Sequence, residues 1–355
     1  MRRMNMQTVR VEASGNYEVR IGAGLLCDVG EQIAELIPGR SAVIVSDSNV
    51  WPLYGPAVQE KLRAAGFRSE RFVFPAGEAS KNPSVLLETI RFFAEKELTR
   101  EDVVVALGGG VVGDLAGLAA ALYLRSVPCV QIPTSLLAMV DSSVGGKTAV
   151  DLPEGKNMLG SFTQPRLVLC DTDVLRTLPR EVFSEGMAEV IKYGMIQSPA
   201  LLRLLLEEDA EDVLPQIITH CVELKRDIVA RDEQDFGDRQ LLNFGHTLGH
   251  AVERCRGYEI YHGEGVAIGM GIMTRAEQRR GNCPQECVET LELLLQKYRL
   301  PRSTELPEEA LLQAAKADKK RRGDSITLVL PRSFGKCMLE RSSYETLAEL
   351  LRLGR

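Results

Sequence analysis

Short apolar runs that end on small or polar residues alternate with amphipathic stretches through the first half of the chain. Ser41 to Val50 (SAVIVSDSNV) stays apolar until it closes on Asp47 and Asn49, as a buried parallel strand does when it delivers polar groups to a sheet edge. AVQEKLRAAGF then has the period of a helix, and RSERFVFPAGE reads as the next strand. Upstream, Asn16 to Leu26 (NYEVRIGAGLL) alternates like a strand and ends in a glycine-containing turn. Val103 to Leu107 is a further buried strand, Gly108, Gly109 and Gly110 form a turn, and a helix of small residues starts at Val111. Cys129 to Ile132 runs into Pro133, Thr134 and Ser135, and Arg166 to Asp171 (RLVLCD) is the last clear strand of this half. Strand alternating with helix predicts a mainly parallel α/β sheet, whose ligands collect at the carboxyl ends of the strands.

From TLPREVFSEG onward the period becomes helical, which places a boundary near Leu178. Residues 1–178 are expected to form an α/β nucleotide-binding domain, and residues 179–355 an all-helical domain. Leu214 to Ala230 carries Ile217, Ile218, Cys221, Leu224, Ile228 and Val229 as one apolar stripe, and His220 on that helix reads as structural. Further helices follow in EGVAIGMGIMTRAEQRRG, CVETLELLLQKYRL and PEEALLQAAKADKKRRG; ITLVLP and GKCMLER read as a short terminal hairpin.

Composition narrows the class. With 355 residues the chain exceeds what one core usually serves, and 45% hydrophobic against 26% charged residues is ordinary for a folded soluble protein. A net charge of -6 argues against a nucleic-acid partner but leaves room for a local basic pocket for a phosphorylated small molecule. The eight cysteines have no disulfide-like framework, so reduced thiols are the simpler reading. The N-terminal stretch lacks the apolar core of a signal peptide, and the apolar run AGLAAALYL is too short to span a bilayer. A soluble cytoplasmic protein with no membrane partner is expected.

The candidate chemistry concentrates in Arg239 to Gly265, which holds three of the four histidines. His246 and His250 stand four apart on one helix face, and His262 follows beyond a turn. Neutral imidazoles bind zinc, and a catalytic zinc takes three protein ligands and keeps one position open. Glu189 shares a helix face with Lys192 at i, i+3; the two make either a structural ion pair or a ligand carboxylate with a neighbouring cation. If the helix of His246 extended back far enough, Arg239 and Asn243 would face the same reaction.

In the first half, LGGGVVGD sets Gly109, Gly110 and Val111 at a helix start that would favour a diphosphate, with Asp114 in the first turn. Its spacing is not GxGxxG. Glu78 and Lys81 follow a strand end, as either ligand groups or an exposed charge pair. GGKT resembles the end of a P-loop, but position 141 is Asp141 where that loop requires glycine, so the P-loop is rejected. Lys147, Lys156 and Asn157 lie in a glycine-rich region, as an anion site or as ordinary solvated groups. Lys225 is either a solvated helix lysine or a cation aimed at the site.

Assembled in order, SDSN, GExxK, LGGGVVGD, PTSLLAMVDSSVGGKTAVD, GKN, GMAEVIK, RQLLNFGHTLGHAVE, HGE and DKK closely resemble the 3-dehydroquinate synthase family of shikimate-pathway cyclases, from about Tyr17 to Lys336. Ser135 stands where that family often has a second threonine. The resemblance implies an N-terminal α/β domain, a helical C-terminal domain and an active site in the cleft between them. It implies NAD and zinc as cofactors, with cobalt as the alternative metal. Zinc ligands carry over to Glu189, His246 and His262, while His250 moves to the substrate side. NAD contacts carry over to Asp47, Asn49, Glu78, Lys81, Gly109, Gly110, Val111, Asp114, Thr134, Ser135, Thr177 and Leu178, with Lys147 and Lys156 beside them. Catalytic or substrate contacts carry over to Asp141, Lys147, Lys156, Asn157, Lys192, Lys225, Arg239, Asn243 and one of Lys319 and Lys320. Arg125 matches an arginine that reaches the phosphate in a neighbouring subunit, which implies a homodimer. The alternatives are a sister sugar phosphate cyclase of the inosose or valiolone type, and a metal-dependent polyol dehydrogenase, for which the cations would be unnecessary.

Overall fold

The computed structural model describes residues 6–318 and 325–355, which fall into two compact units. The first comprises Met1–Leu178 with Lys225–Glu233, and the second Pro179–Leu224 with Gln234–Arg355.

The first unit is built on a seven-stranded sheet in the order β1-β2-β9-β6-β5-β3-β4. Its strands are β1 (Gln7–Val11), β2 (Tyr17–Gly22), β3 (Ser41–Asp47), β4 (Arg68–Phe74), β5 (Val103–Gly108), β6 (Cys129–Pro133) and β9 (Leu167–Asp171). Only β1–β2 is antiparallel. Apolar residues fill both faces of the central strands, because helices cover both. Val43, Val45, Val104 and Ala106 point to one core with Phe93 of α3 (Pro83–Glu95) and Leu115 of α4 (Gly110–Leu122). Ala42, Ile44, Val103, Val105 and Leu107 point to the other, with Ile33 of α1 (Val29–Ala34) and Leu62 of α2 (Trp51–Ala64). The strict alternation between two cores is the period of two of a strand buried on both sides. Each such Val or Ile contributes about 1.5–3 kcal/mol by leaving water.

Two pieces of this unit differ from the sequence expectation. Lys147 and Lys156 belong to an antiparallel hairpin, β7 (Lys147–Leu152) and β8 (Gly155–Phe162), where only glycine-rich turns were expected. Ahead of it, Ala138–Ser142 winds as a short π-helical turn that carries Asp141. The apolar residues there do not alternate cleanly, so neither element has a periodic signature.

The second unit contains α5 (Arg180–Gln197), α6 (Pro199–Glu207), α8 (His246–Cys255), α9 (His262–Arg279), α10 (Gln285–Lys297), α11 (Glu308–Asp318) and α12 (Tyr344–Gly354). Helix α7 (Leu214–Arg231) starts in this unit, and its residues from Lys225 count with the first. The expected all-helical domain also carries an antiparallel hairpin of β10 (Ser325–Ser333) and β11 (Lys336–Ser343), at the ITLVLP and GKCMLER segments. Helix α9 is buried along most of its length, including Val266, Met270 and Ile272, which makes it the axis around which α5, α8, α10 and α12 pack. No described helix is long and apolar enough to cross a membrane.

Candidate active site and metal centre

In the second unit, α5 buries Glu189 completely and Lys192 almost completely, and the two form an ion pair one helical turn apart. Two glycines bring the histidines to them. Gly245 has φ 81, a left-handed conformation that lets the chain enter α8 directly at His246. Gly263, the second residue of α9, has no room for a side chain: a Cβ there would lie 2.3 Å from the Glu185 carbonyl oxygen of α5. The start of α9 therefore lies against α5, with His262 beside Glu189.

His246 Nε2 and His262 Nε2 each lie 3.5 Å from Glu189 Oε1. The other ring nitrogens are engaged elsewhere. His246 Nδ1 donates to the Phe244 carbonyl at 3.2 Å, and His262 Nδ1 to Glu253 Oε1 at 2.9 Å. One ligand atom from each of Glu189, His246 and His262 falls within 4.8 Å of the others. Bonds of about 2.05 Å in a tetrahedral zinc site separate its ligand atoms by about 3.3 Å, so this donor set fits a zinc ion. Histidines held through Nδ1 by a carboxylate or carbonyl present Nε2 to a metal in the required tautomer. Burial pulls His246 down to about 3, which leaves its imidazole neutral. Burial acts in the same sense on His262, but hydrogen bonds to Glu189 and Glu253 outweigh it and raise His262 to about 10. Metal binding at that Nε2 therefore competes with a proton. Burial also raises Glu185 to about 7.

His250 lies on the same wall, its ring centroid 5.5 Å from that of His246 and 5.7 Å from that of His262. It forms a second acidic–imidazole group with Glu253 and His262. Arg239 is buried and Asn243 half-buried, but they are not on the helix of His246: Asp238–Asn243 is a separate 3-10 turn. The break at Gly245 corrects the expectation of one continuous helix.

The first unit gathers the other expected residues at the carboxyl ends of its strands. Asp47 ends β3 and accepts from the Asn49 and Val50 amides at 2.8 and 2.9 Å. Gly109 caps α4, Gly110 and Val111 are its first residues, and Asp114 lies one turn in. Thr134 and Ser135 follow β6, where the Thr134 amide donates to the Gly108 carbonyl at 2.9 Å. Thr177 and Leu178 follow β9 by one 3-10 turn, and the Thr177 hydroxyl shares a hydrogen bond with Tyr54. Lys81 is buried and sits 2.6 Å from Asp114 Oδ2, and it donates to Asn157 Oδ1 at 2.6 Å. Burial disfavours the Lys81 charge, but Asp114 and Glu78 outweigh it and hold the ammonium above its usual range. Burial likewise raises Glu78 and Asp114, with Lys81 opposing. Lys156 Nζ lies 3.9 Å from Glu78.

Lys225, the first residue that α7 contributes to this unit, is buried and ion-paired with Asp141, and donates to the Asp141 carbonyl at 2.6 Å. Lys147 is exposed at the start of β7. Arg125 is exposed within a run of left-handed residues, Leu124 (φ 49), Arg125 (φ 64) and Ser126 (φ 100). Lys319 and Lys320 lie outside the described residues. The sequence reading gave no role to Glu185 and missed Glu253. Glu253 was within reach, since it lies three residues after His250 on the histidine face of α8.

Comparison with known proteins gives the family. Residues 71–185 match the model of the 3-dehydroquinate synthase N-terminal domain, and residues 186–321 that of its C-terminal domain. The chain is 42% identical to the 3-dehydroquinate synthase of Clostridium acetobutylicum, over 98% of this chain and 100% of that protein. It is 46% identical to that of Streptococcus sanguinis, over 95% and 97%. Among solved structures, the 2-epi-5-epi-valiolone synthase ValA from Streptomyces hygroscopicus superposes with a TM-score of 0.86 at 27% identity, covering 97% of this chain and 98% of that one; that structure holds NAD+ and Zn2+. With residues 71–321 matched to the two domain models of one family and a relative 42% identical over 98% of its length, this chain belongs to the 3-dehydroquinate synthases.

Proposed function

We propose that this protein is a 3-dehydroquinate synthase, converting 3-deoxy-D-arabino-heptulosonate 7-phosphate to 3-dehydroquinate and inorganic phosphate. The sequence of changes is oxidation at C5, β-elimination of phosphate, re-reduction, ring opening and intramolecular aldol closure. The observation that carries the proposal is the convergence of Glu189, His246 and His262 in one donor set, in a chain of this family. When bound, NAD supplies a hydride acceptor that becomes the donor, and zinc supplies a Lewis acid for the reacting oxygen.

Glu189, His246 and His262 would hold the metal. Lys192 pairs with the Glu189 carboxylate from one turn further along the same helix and would hold it in place beside the metal. His250 stands beside these groups as a proton carrier or a substrate contact. Gly109, Gly110 and Val111 would offer the amide groups of the α4 N-terminus to the NAD diphosphate, with Asp47, Asn49, Glu78, Lys81, Asp114, Thr134, Ser135, Thr177 and Leu178 as the remaining cofactor contacts. Lys147, Lys156, Asn157, Lys225, Arg239, Asn243 and one of Lys319 and Lys320 would hold the carboxylate, the phosphate and the hydroxyls of the substrate. Asp141 orients Lys225 through their ion pair. Positioning of this kind supplies much of the rate when the bond changes lie mostly within one substrate molecule. The working form would be a cytoplasmic homodimer in which Arg125, exposed here, reaches the neighbouring site.

Phosphate release from the heptulosonate phosphate, with NAD and zinc and with or without a chelator, tests the proposal. Release without net NADH, stopped by the chelator, is the expected result. Stoichiometric NADH with no phosphate would identify a polyol dehydrogenase instead.

A further inference from the structure

We infer that Asp151, assigned no role above, is a positioning residue that joins the expected substrate turn to the expected cofactor lysine. This deepens the proposed function and rests on it for the roles of Asn157 and Lys81. The hairpin β7–β8 loses its regular register between Val150 and Leu152, which puts Asp151 at a bulge. Its groups turn elsewhere: the Asp151 amide donates to the Lys81 carbonyl at 2.8 Å, and Asp151 Oδ1 accepts from the Asn157 amide at 2.7 Å. Asn157 has φ 55, a left-handed conformation that costs a non-glycine residue energy unless neighbours hold it. In that conformation Asn157 Oδ1 meets Lys81 Nζ at 2.6 Å, while Asp114 takes the same ammonium.

Bulges near functional sites re-aim a side chain, and this one closes a ring from Lys81 through Asp151 and Asn157 back to Lys81. Without the Asp151 carboxylate, the Asn157 turn relaxes to an ordinary conformation and Lys81 loses one of its acceptors. The backbone bond from the Asp151 amide survives any substitution except proline, so the side-chain contribution can be isolated.

The test is a mutant cycle on the full-length enzyme with NAD and zinc. Asp151→Ala should lower kcat/KM for the heptulosonate phosphate about tenfold, the size of one hydrogen bond to a charged acceptor. Asp151→Asn, whose amide oxygen still accepts from the Asn157 amide, should restore most of that loss. Asn157→Gly adopts the left-handed turn unaided, so adding Asp151→Ala to it should cost less than about twofold. An additive cycle, or wild-type kcat/KM in Asp151→Ala, overturns the inference. NAD affinity, read by titration without substrate, should weaken in Asp151→Ala by the loss of the Asn157 contact to Lys81. That arm keeps the two ideas apart: a wild-type protein that releases no phosphate refutes the function, while the NAD cycle still decides on Asp151.

Discussion

Gly263→Ala tests whether the approach of α9 to α5 creates the metal centre. A Cβ at this position would lie 2.3 Å from the Glu185 carbonyl oxygen and 2.7 Å from the Glu185 Cα. Ordinary contact begins near 3.4 Å, so the start of α9 or the backbone of α5 must yield by about 1 Å. Two effects then oppose each other. Alanine improves helix propensity over glycine by up to about 1 kcal/mol. Overpacking against a backbone that cannot rotate away costs about 1–3 kcal/mol, and both neighbours here are main chain. The clash prevails, and the melting temperature should fall by about 2–4 °C for each net kcal/mol. The larger consequence is local. His262 is the residue next to Gly263, and metal–ligand distances tolerate only about 0.2 Å of error. A shift of about 1 Å between His262 and Glu189 should therefore leave a folded protein that retains little zinc after gel filtration, measured by elemental analysis, with turnover lost in proportion. A Gly263→Ala protein with full zinc and an unchanged melting curve would refute the packing account.

Zinc binding to the metal-free protein should release about one proton near pH 7.5, because His262 is raised to about 10 and so is protonated before the metal arrives. The sign follows: apparent affinity should rise with pH below about 10, and calorimetry in buffers of different ionisation enthalpy would show no buffer dependence if the assignment were wrong. Lys192→Ala should destabilise the metal-free protein, by less than the roughly 3–5 kcal/mol of a fully stranded buried carboxylate, because the protonated His262 still faces Glu189. Added zinc should recover part of that loss in a thermal melt, and equal losses with and without zinc would show that Glu189 does not face the metal.

Much of the fold was legible because it depends on local periods. The valines of β3 and β5 alternate between two covered faces, so their continuous apolar runs announced buried parallel strands, and the polar residues closing those runs marked the sheet edge. The histidine spacing in α8 and the pairing of Glu189 with Lys192 are likewise one-helix facts that 3.6 residues per turn predicts. The hairpin carrying Lys147 and Lys156 was not legible, since its outer strand leaves Met158, Leu159 and Phe162 exposed and shows no polar–apolar alternation. The separation of Arg239 and Asn243 from α8 depended on a left-handed Gly245 whose role is set by α9 packing against it, not by its neighbours in sequence. Sequence by itself thus determined which residues are chemically able to bind a metal, a diphosphate and an anionic sugar. Tertiary structure decided that His246 Nε2 and His262 Nε2 both face Glu189 of another helix, while the Phe244 carbonyl and Glu253 take their Nδ1 atoms. It also decided that Asn157 meets Lys81, 76 residues away in the chain, because a contact at that separation depends on packing that no local period encodes.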